Sequence, residues 1–194
     1  MVLWLVRHAP VAVSGVCYGQ HDVPVSVPAE RAADLVADRW EALASGVIPE
    51  LWSSPWSRTR DVGEALARRW ATELHLDARL SELSFGEWEG RRFDDLQRED
   101  GERFERWMAA FEVEAPPRGE TVGDLRRRLA TWVADRRRAP KTILAITHAG
   151  VIRMARSLAL EVNYADVVGQ PVDHLVPEPL EFRDRKSQFG VSNA

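Results

Sequence analysis

Cysteine is almost absent from this chain of 194 residues, and basic residues are not in excess. The only cysteine is Cys17, which excludes an intramolecular disulfide and a metal cluster built from cysteines alone. A chain without disulfides is typical of a reducing compartment and predicts a cytoplasmic protein. The formal net charge is -4 and the sequence pI is about 5.8. This balance argues against a nucleic-acid-binding protein, because such proteins carry a basic surface.

Long apolar segments, internal repeats and low-complexity linkers are also lacking. The first apolar run covers residues 1–6, ends at Arg7 and is far too short to span a bilayer. It has neither the charged start nor the small-residue cleavage site of a signal peptide, so it predicts a buried first strand and no membrane contact. Length and the lack of linkers predict a single domain over residues 1–194, with residues 183–194 as a flexible polar tail.

Short apolar runs alternate along the chain with segments of helical periodicity. Strands are predicted at residues 2–6, 47–52, 74–76 and 141–147, with an edge strand at residues 172–180. Helices are predicted from Pro28 to Leu43 after a cap at Ser26, at 56–70, after a cap at Thr121, and at 149–160. Residues 80–117 contain turn signals and short helical pieces. This alternation predicts an α/β fold, a three-layer sandwich with helices flanking a mostly parallel central sheet.

Two of the predicted strands end in the same way. The first is followed by Arg7 and His8, and the late strand ends at Thr147, followed by His148. Ligands of open α/β sheets bind at the carboxyl ends of strands, so both histidines lie where chemistry usually occurs. A single histidine at such a place is equally often a hydrogen-bonded surface residue. Two of them, one preceded by arginine, favour a functional site.

Four sequence runs resemble motifs of the histidine phosphatase superfamily, the phosphoglycerate-mutase-like proteins. They are Leu-Val-Arg-His at 5–8, Ser-Pro-Trp-Ser-Arg at 54–58, Glu-Leu-Ser-Phe-Gly-Glu-Trp-Glu-Gly at 82–90 and Thr-His-Ala-Gly-Val-Ile-Arg at 147–153. Any one run is weak evidence, whereas four in the family's order are highly specific. The resemblance implies a phosphoglycerate-mutase-like fold and a phosphatase acting on a small phosphorylated substrate.

The resemblance also implies a role for each matching residue. His8 matches the nucleophile that forms a phosphohistidine, and His148 matches the second histidine, which supports the charge on the transferring group. Arg7 and Arg58 match the two arginines that bind phosphate oxygens, a role suited to permanently charged, bidentate donors. Glu82 matches the acid that protonates the leaving oxygen and then activates water. No metal or other cofactor is implied, because these side chains supply the positive charge.

Three positions depart from the family's usual pattern. Ala9 and Pro10 follow the nucleophile where the family usually has glycine, and because a small residue is kept we expect little effect. Ser14 lies where relatives often place a polar residue that contacts phosphate, and the resemblance implies that it binds phosphate. Val62, four residues after Arg58, replaces a common threonine, which removes a secondary hydrogen bond and leaves the arginine itself in place.

Residues 17–26 resemble a segment of the α-ribazole phosphatases, which hydrolyse α-ribazole 5′-phosphate during assembly of the cobalamin lower ligand. In that interpretation Tyr18 and Gly19 bind the substrate; in the alternative one the segment only braces a loop. A broad-specificity phosphatase and a phosphoglycerate mutase remain alternatives, although the chain is shorter than typical mutases. A catalytically weak regulatory or binding module is a further alternative, and the five intact core residues count against it.

The remaining histidines and arginines are interpreted as structural. His21, His75 and His174 lack metal-ligand spacing, so we predict surface or loop positions and no metal site. The arginines at 126–128 and 136–138 are predicted on the solvated face of a helix. Glu120 either reaches the pocket or caps the helix that follows it. The sequence leaves a homodimer open.

Overall fold

The computed structural model describes residues 1–137 and 141–182, so the predicted tail at 183–194 lies outside the described residues. The described chain contains five strands: β1 (Val2–Arg7), β2 (Glu50–Ser53), β3 (Leu74–Leu76), β4 (Ile143–Thr147) and β5 (Pro177–Glu181). Its α-helices are α1 (Ala29–Leu43), α2 (Ser57–Trp70), α3 (Phe93–Glu99), α4 (Gly101–Ala110), α5 (Val122–Arg136), α6 (Ala149–Leu160) and α7 (Ala165–Val168). Single 3-10 turns lie at Ala78–Leu80 and Gly86–Trp88.

The five strands form one sheet in the order β3-β2-β4-β1-β5. The first four run parallel, and β5 pairs antiparallel with β1, as the predicted edge strand. Arg7 at the end of β1 pairs with Thr147 at the end of β4, so the two strands end level. The residues that follow them therefore begin side by side at the carboxyl edge of the sheet.

Helices cover both faces of this sheet, because the buried strand residues alternate between two apolar clusters. Ile143 and Ala145 pack with α5 and α6, whereas Leu144 and Ile146 pack with α1 and α2. All four side chains are fully buried, and each large aliphatic one contributes roughly 1.5–3 kcal/mol. The predicted α/β three-layer architecture with a mostly parallel sheet is confirmed.

Two predicted helix starts have different outcomes. Thr121 caps α5 as predicted: its hydroxyl accepts from the Asp124 N–H and the Asp124 carboxylate accepts from the Thr121 N–H, a capping box. The predicted cap at Ser26 is wrong. The N-cap of α1 is Pro28, and Ser26 lies two residues too early to reach the first turn. Its hydroxyl donates instead to the carbonyl of Pro10, 3.0 Å away, and so fastens the loop after β1.

The connection between β3 and α5 contains turns and short helices, as predicted for residues 80–117. A third apolar cluster, formed by Cys17, Trp88 and Leu96, joins this connection to the loop after β1. The backbone follows the same path, since the Cys17 N–H donates to the Arg91 carbonyl at 2.9 Å. The loop that carries the residues after His8 is thereby fixed against the segment that carries Glu82.

Candidate active site

His8 and His148 lie together at the carboxyl edge of the sheet. They directly follow β1 and β4, and their ring centroids are 5.3 Å apart. Only 2% of His8 and 0% of His148 is exposed. A main-chain hydrogen bond of 3.0 Å from the His8 N–H to the Thr147 carbonyl continues the strand pairing past β1 and fixes the backbone of His8. The sequence prediction that these two residues share one site agrees with this geometry.

One hydrogen bond fixes the tautomer of His8. Its Nδ1 lies 2.6 Å from the carbonyl oxygen of Ala9, and because a carbonyl only accepts, Nδ1 carries the proton. Nε2 therefore keeps its lone pair, and within the described residues it has no hydrogen-bond partner and is not enclosed. Burial, together with the nearby Arg58, Arg7 and His174, lowers the pKa of His8 to about 3, so the ring is neutral near pH 7.

His148 is held by a chain of hydroxyl groups. Its Nε2 lies 2.8 Å from the Ser54 hydroxyl, which lies 2.7 Å from the Thr59 hydroxyl. Burial and the nearby Arg58 keep the pKa of His148 well below its usual value. The other nitrogen, Nδ1, is buried and has no partner among the described residues. An unsatisfied buried polar atom costs about 1–3 kcal/mol, which a ligand that hydrogen-bonds to it would recover.

In both predicted phosphate-binding arginines, some guanidinium N–H groups have hydrogen-bond partners and the Nε–H has none. Arg7 donates through Nη1 to the Val172 carbonyl at 2.8 Å, and Arg58 donates to the carbonyls of Gly19 at 2.5 Å and His21 at 3.0 Å. In each guanidinium the Nε is buried and has no partner among residues 1–137 and 141–182. The backbone bonds fix the orientation of each planar group, and the unpartnered N–H is suited to an anion.

Glu82 reaches the same place from a different part of the chain. Its Oε2 accepts from the Gly150 N–H in the first turn of α6 at 3.0 Å, and its Oε1 accepts from the Leu83 N–H at 3.1 Å. A Cβ atom on Gly150 would lie 2.3 Å from Oε1, so this approach requires glycine. The Thr-His-Ala-Gly run thus places His148 on the edge of the sheet and leaves room for the carboxylate beside it.

Arg128 fixes the backbone around Glu82. It donates to the carbonyl oxygens of Ser81 at 2.7 Å and Glu82 at 3.0 Å, and it pairs with the Glu120 carboxylate through Nε and Nη2 at 3.0 and 2.9 Å. The prediction that Arg128 lies on a solvated face is therefore wrong, whereas its neighbour Arg127 is exposed. Glu120 does not cap α5, since Thr121 does; it is the partner of Arg128.

Tyr18 and Gly19 belong to a loop that packs between Arg58 and the Glu82 segment. The Arg58 guanidinium lies 5.5 Å from the centre of the Tyr18 ring, within the range of a cation–π contact. A Cβ on Gly19 would lie 2.0 Å from the Leu83 carbonyl oxygen, so only glycine permits this packing. The loop therefore acts as a brace, and contact of Tyr18 and Gly19 with substrate stays a prediction.

Ser14 and Val62 mark the departures noted in the sequence. Ser14 is exposed in the loop after β1, and within the described residues no hydrogen bond connects it to the site, so phosphate binding by Ser14 stays a prediction. Val62 is buried in the apolar cluster under α1 and α2. The hydroxyl nearest His148 on this helix comes instead from Thr59, through Ser54. Sequence reasoning missed both hydroxyl residues, although Ser54 lies in one of the four quoted runs.

His174 is the other residue that sequence reasoning missed. Its ring centroid is 5.6 Å from that of His8, and its Nδ1 lies 2.6 Å from the His8 carbonyl oxygen. His174 does lie in a loop, as predicted, but its place beside His8 was not foreseen. Because β5 runs antiparallel, the segment before it begins at the carboxyl edge of the other strands. His21 is exposed and His75 lies beside Trp52, with 4.7 Å between the ring centroids.

No group of three histidine, cysteine, aspartate or glutamate side chains in the described part of the chain is arranged to hold a metal ion. None of the helices found there combines the length and the apolar character needed to cross a bilayer.

Comparison with known proteins identifies relatives of several kinds. A bifunctional protein of Mycobacterium tuberculosis is 34% identical over 119 residues, which are 60% of this chain but only 32% of that protein. An adenosylcobalamin/alpha-ribazole phosphatase of Salmonella typhimurium is 25% identical over 79% of this chain and 77% of its own length. A protein of Photorhabdus laumondii, by name a phosphoglycerate mutase, is 31% identical over 71% of this chain and 64% of its own length. The chain thus spans about a third of the mycobacterial relative and nearly two thirds of the mutase.

Solved structures share the fold, and a family model covers nearly the whole chain. The alpha-ribazole phosphatase of Shigella flexneri superposes with a TM-score of 0.81 at 22% identity, covering 93% of this chain and 90% of that one. Identity this low supports the fold alone. The model of the histidine phosphatase superfamily (branch 1) matches residues 3–193. The chain therefore belongs to the histidine phosphatase superfamily.

Proposed function

We propose that this protein is a phosphatase that hydrolyses a phosphate monoester through a phosphohistidine on Nε2 of His8, and that its substrate is α-ribazole 5′-phosphate. The observation that carries the mechanism is the state of His8. Its ring is neutral, its Nδ1 proton is engaged with the Ala9 carbonyl, and its Nε2 lone pair is free. A nucleophile needs a free electron pair at the pH of reaction, and this arrangement supplies one without a proton acceptor.

In the first step the Nε2 lone pair attacks phosphorus, and the bond from phosphorus to the ester oxygen breaks. Protonated Glu82 gives its proton to that oxygen, so the alcohol leaves neutral. The unpartnered Nε–H groups of Arg7 and Arg58 bind the phosphoryl oxygens, whose negative charge they stabilise. The unpartnered Nδ1 of His148 provides a further hydrogen-bonding atom for the transferring group.

In the second step water replaces the alcohol. The Glu82 carboxylate takes a proton from water as its oxygen attacks phosphorus, and the bond between phosphorus and Nε2 breaks. Inorganic phosphate leaves, and His8 regains its lone pair. The two backbone N–H donors that hold Glu82, from Leu83 and Gly150, keep the same carboxyl group in position for both steps.

The choice of α-ribazole 5′-phosphate is supported by two observations. Residues 17–26 resemble the corresponding segment of α-ribazole phosphatases, and this segment packs directly on Arg58 and on the chain beside Glu82. Relatives named for this activity align over more than three quarters of their length. In this assignment the Tyr18 ring borders the pocket and packs on an aromatic ring of the substrate.

Phosphate release from three esters in the presence of EDTA tests the proposal. The esters are α-ribazole 5′-phosphate, 3-phosphoglycerate and p-nitrophenyl phosphate, and His8→Ala runs beside His75→Ala, a control at a histidine packed on Trp52. Selective hydrolysis of the ribazole ester, lost only in His8→Ala, supports both parts. Equal or better turnover of the other esters refutes the substrate. Activity that survives in His8→Ala, or an enzyme that forms no acid-labile, base-stable phosphoryl adduct, refutes the mechanism.

A further inference from the structure

Three imidazole rings stand in a row along the carboxyl edge of the sheet. In the sheet order β1 lies between β4 and β5, so His8 is flanked by His148 on one side and His174 on the other. The centroid distances from His8 are 5.3 Å to His148 and 5.6 Å to His174. The family motifs account for the first two rings. The mechanism described above gives no role to the third.

The backbone around His174 fixes its ring beside His8. The Leu175 N–H donates to the Arg7 carbonyl at 2.9 Å, and Arg39 on α1 donates to the Leu175 carbonyl at 2.6 Å. Leu175 has a φ of 60°, a left-handed conformation that is strained for a residue with a Cβ. Such strain persists where the surroundings enforce it, and it concentrates at functional sites.

The two ring nitrogens of His174 have different roles. Nδ1 lies 2.6 Å from the His8 carbonyl, which only accepts, so Nδ1 carries a proton and holds the end of β1. Nε2 has no hydrogen-bond partner in the described part of the chain and is not enclosed by it. A loop residue that only braced β1 would need a single donor. His174 has in addition a free nitrogen, on a ring whose centroid lies 5.6 Å from that of His8.

We propose that His174 is a further substrate-contacting residue, whose Nε2 binds the anionic phosphate of the ester next to His8. This inference rests on the proposed function, since it assumes that the phosphate binds at His8. In the complex the Nε2 of His174 is protonated and donates to a phosphoryl oxygen. The proton is taken from solvent when the dianion binds.

The charges around His174 agree with this behaviour. Burial lowers the pKa of His174; the hydrogen bond to the His8 carbonyl opposes this, Arg7 lowers the pKa further and Asp173 raises it. Arg39, from α1, contacts the His174 carbonyl at 3.4 Å. His174 is therefore neutral in the free enzyme at neutral pH, and it is only half-buried. His8 and His148 are almost completely buried, so His174 is the ring among the three that most readily gains a proton near a bound anion.

Sulfate binding at two pH values tests the inference without relying on catalysis. Sulfate is used because its charge is constant between pH 5.5 and 7.5, and calorimetry measures its Kd. In the wild-type protein we expect the Kd for sulfate to be about tenfold lower at pH 5.5 than at pH 7.5, because one hydrogen bond to a charged donor is gained. His174→Asn keeps a donor at the position of Nδ1 but lacks Nε2, so its sulfate Kd should not show this tenfold decrease between pH 7.5 and pH 5.5. His75→Asn is the control and should behave as the wild type.

Steady-state kinetics separate contact with substrate from a merely structural role. His174→Asn should raise KM about tenfold and leave kcat within about twofold, whereas His174→Ala should also lower kcat because the end of β1 is released. Equal pH dependence of sulfate binding in the wild type and His174→Asn would overturn the inference. So would an unchanged KM in His174→Asn. Absence of ester hydrolysis in the wild type refutes the proposed function instead, and the sulfate experiment still decides the role of His174.

Discussion

The substitution Gly150→Ala tests the position of Glu82 without changing any side chain that performs chemistry. An added Cβ would lie 2.3 Å from Oε1 of Glu82, whereas ordinary contacts begin at 3.4 Å. The carboxylate must therefore retreat by about 1 Å and lose its bond to the Gly150 N–H. A misplacement of about 1 Å in a catalytic group lowers the rate about 100-fold. We expect that loss in kcat/KM for an alkyl phosphate.

Gly150→Ala should lower the activity without lowering the stability of the protein. The atom that the new methyl group meets is the far end of a flexible side chain, which can turn away. Alanine is also the better helix former by about 1 kcal/mol. Thermal unfolding should therefore give a Tm within a few degrees of the wild type. The matched control is Gly123→Ala, because Gly123 occupies the same position in the first turn of α5 and its nearest atoms are 3.4 Å away.

The leaving group distinguishes a displaced acid from general damage to the site. An aryl phosphate such as p-nitrophenyl phosphate releases a stable anion that needs no proton. Gly150→Ala should therefore transfer the phosphoryl group from this ester to His8 at close to the wild-type rate. Parallel assays of the alkyl and aryl esters at substrate concentrations well below KM give kcat/KM, which depends on the phosphorylation step and not on the later attack of water. If Gly150→Ala hydrolyses the alkyl ester as fast as Gly123→Ala does, the assignment of Glu82 as the acid is wrong.

Three further substitutions test the acid role of Glu82, the neutral state of His8 and the contribution of Arg128 to stability. Glu82→Gln should lower kcat/KM, which depends on the phosphorylation step and not on the later attack of water, by about 10²–10⁴-fold for an alkyl phosphate and much less for an aryl phosphate, and a similar loss of kcat/KM on both esters would contradict the acid role. The unfolded state binds a proton at His8 below about pH 6.5 whereas the folded state does so only near pH 3, so the free energy of unfolding should fall with falling pH in that window. His8→Asn should reduce this slope by about 1.4 kcal/mol per pH unit in urea titrations, and an unchanged slope would show that His8 is not held neutral. Arg128→Met should destabilise the protein by about 3 kcal/mol in the same titrations because Glu120 and three carbonyl groups lose their donor, with the exposed Arg127→Met as a near-neutral control.

The sheet and its two helical layers were predictable because they depend on local patterns. Fully apolar runs predict the buried parallel strands, and the pair Thr121 and Asp124 predicts the start of α5. The start of α1 was not predictable in this way. Ser26 has the correct residue type for a cap, but its hydroxyl is engaged by Pro10, which lies sixteen positions away in the sequence. A side chain that can satisfy two different partners is assigned only by the tertiary structure.

Site residues that belong to a sequence motif were predictable. Residues that only a long-range contact brings to the site were not. His8, His148, Arg58 and Glu82 lie in recognisable runs, and the structure brings them together as expected. Arg128 was taken for a surface residue because helical periodicity places it beside exposed neighbours. Its four acceptors come from the segment around residues 79–82 and from Glu120, and no sequence spacing indicates them. His174 was missed for the same reason, since the direction of β5 decides where it lies.

The division of roles between arginine and histidine in this site follows from their different pKa values. Arginine keeps its charge even when it is as buried as Arg58, so the positive potential at the phosphate position does not vary with pH. Burial lowers the pKa of His8 and His148 most, the fixed arginine charges lower it further, and both rings stay neutral. A protonated His8 would have no lone pair with which to attack phosphorus. In the proposed mechanism the two arginines therefore do more than bind the anion, because the charges that attract the phosphate also add to the effect of burial in keeping the nucleophile neutral and reactive.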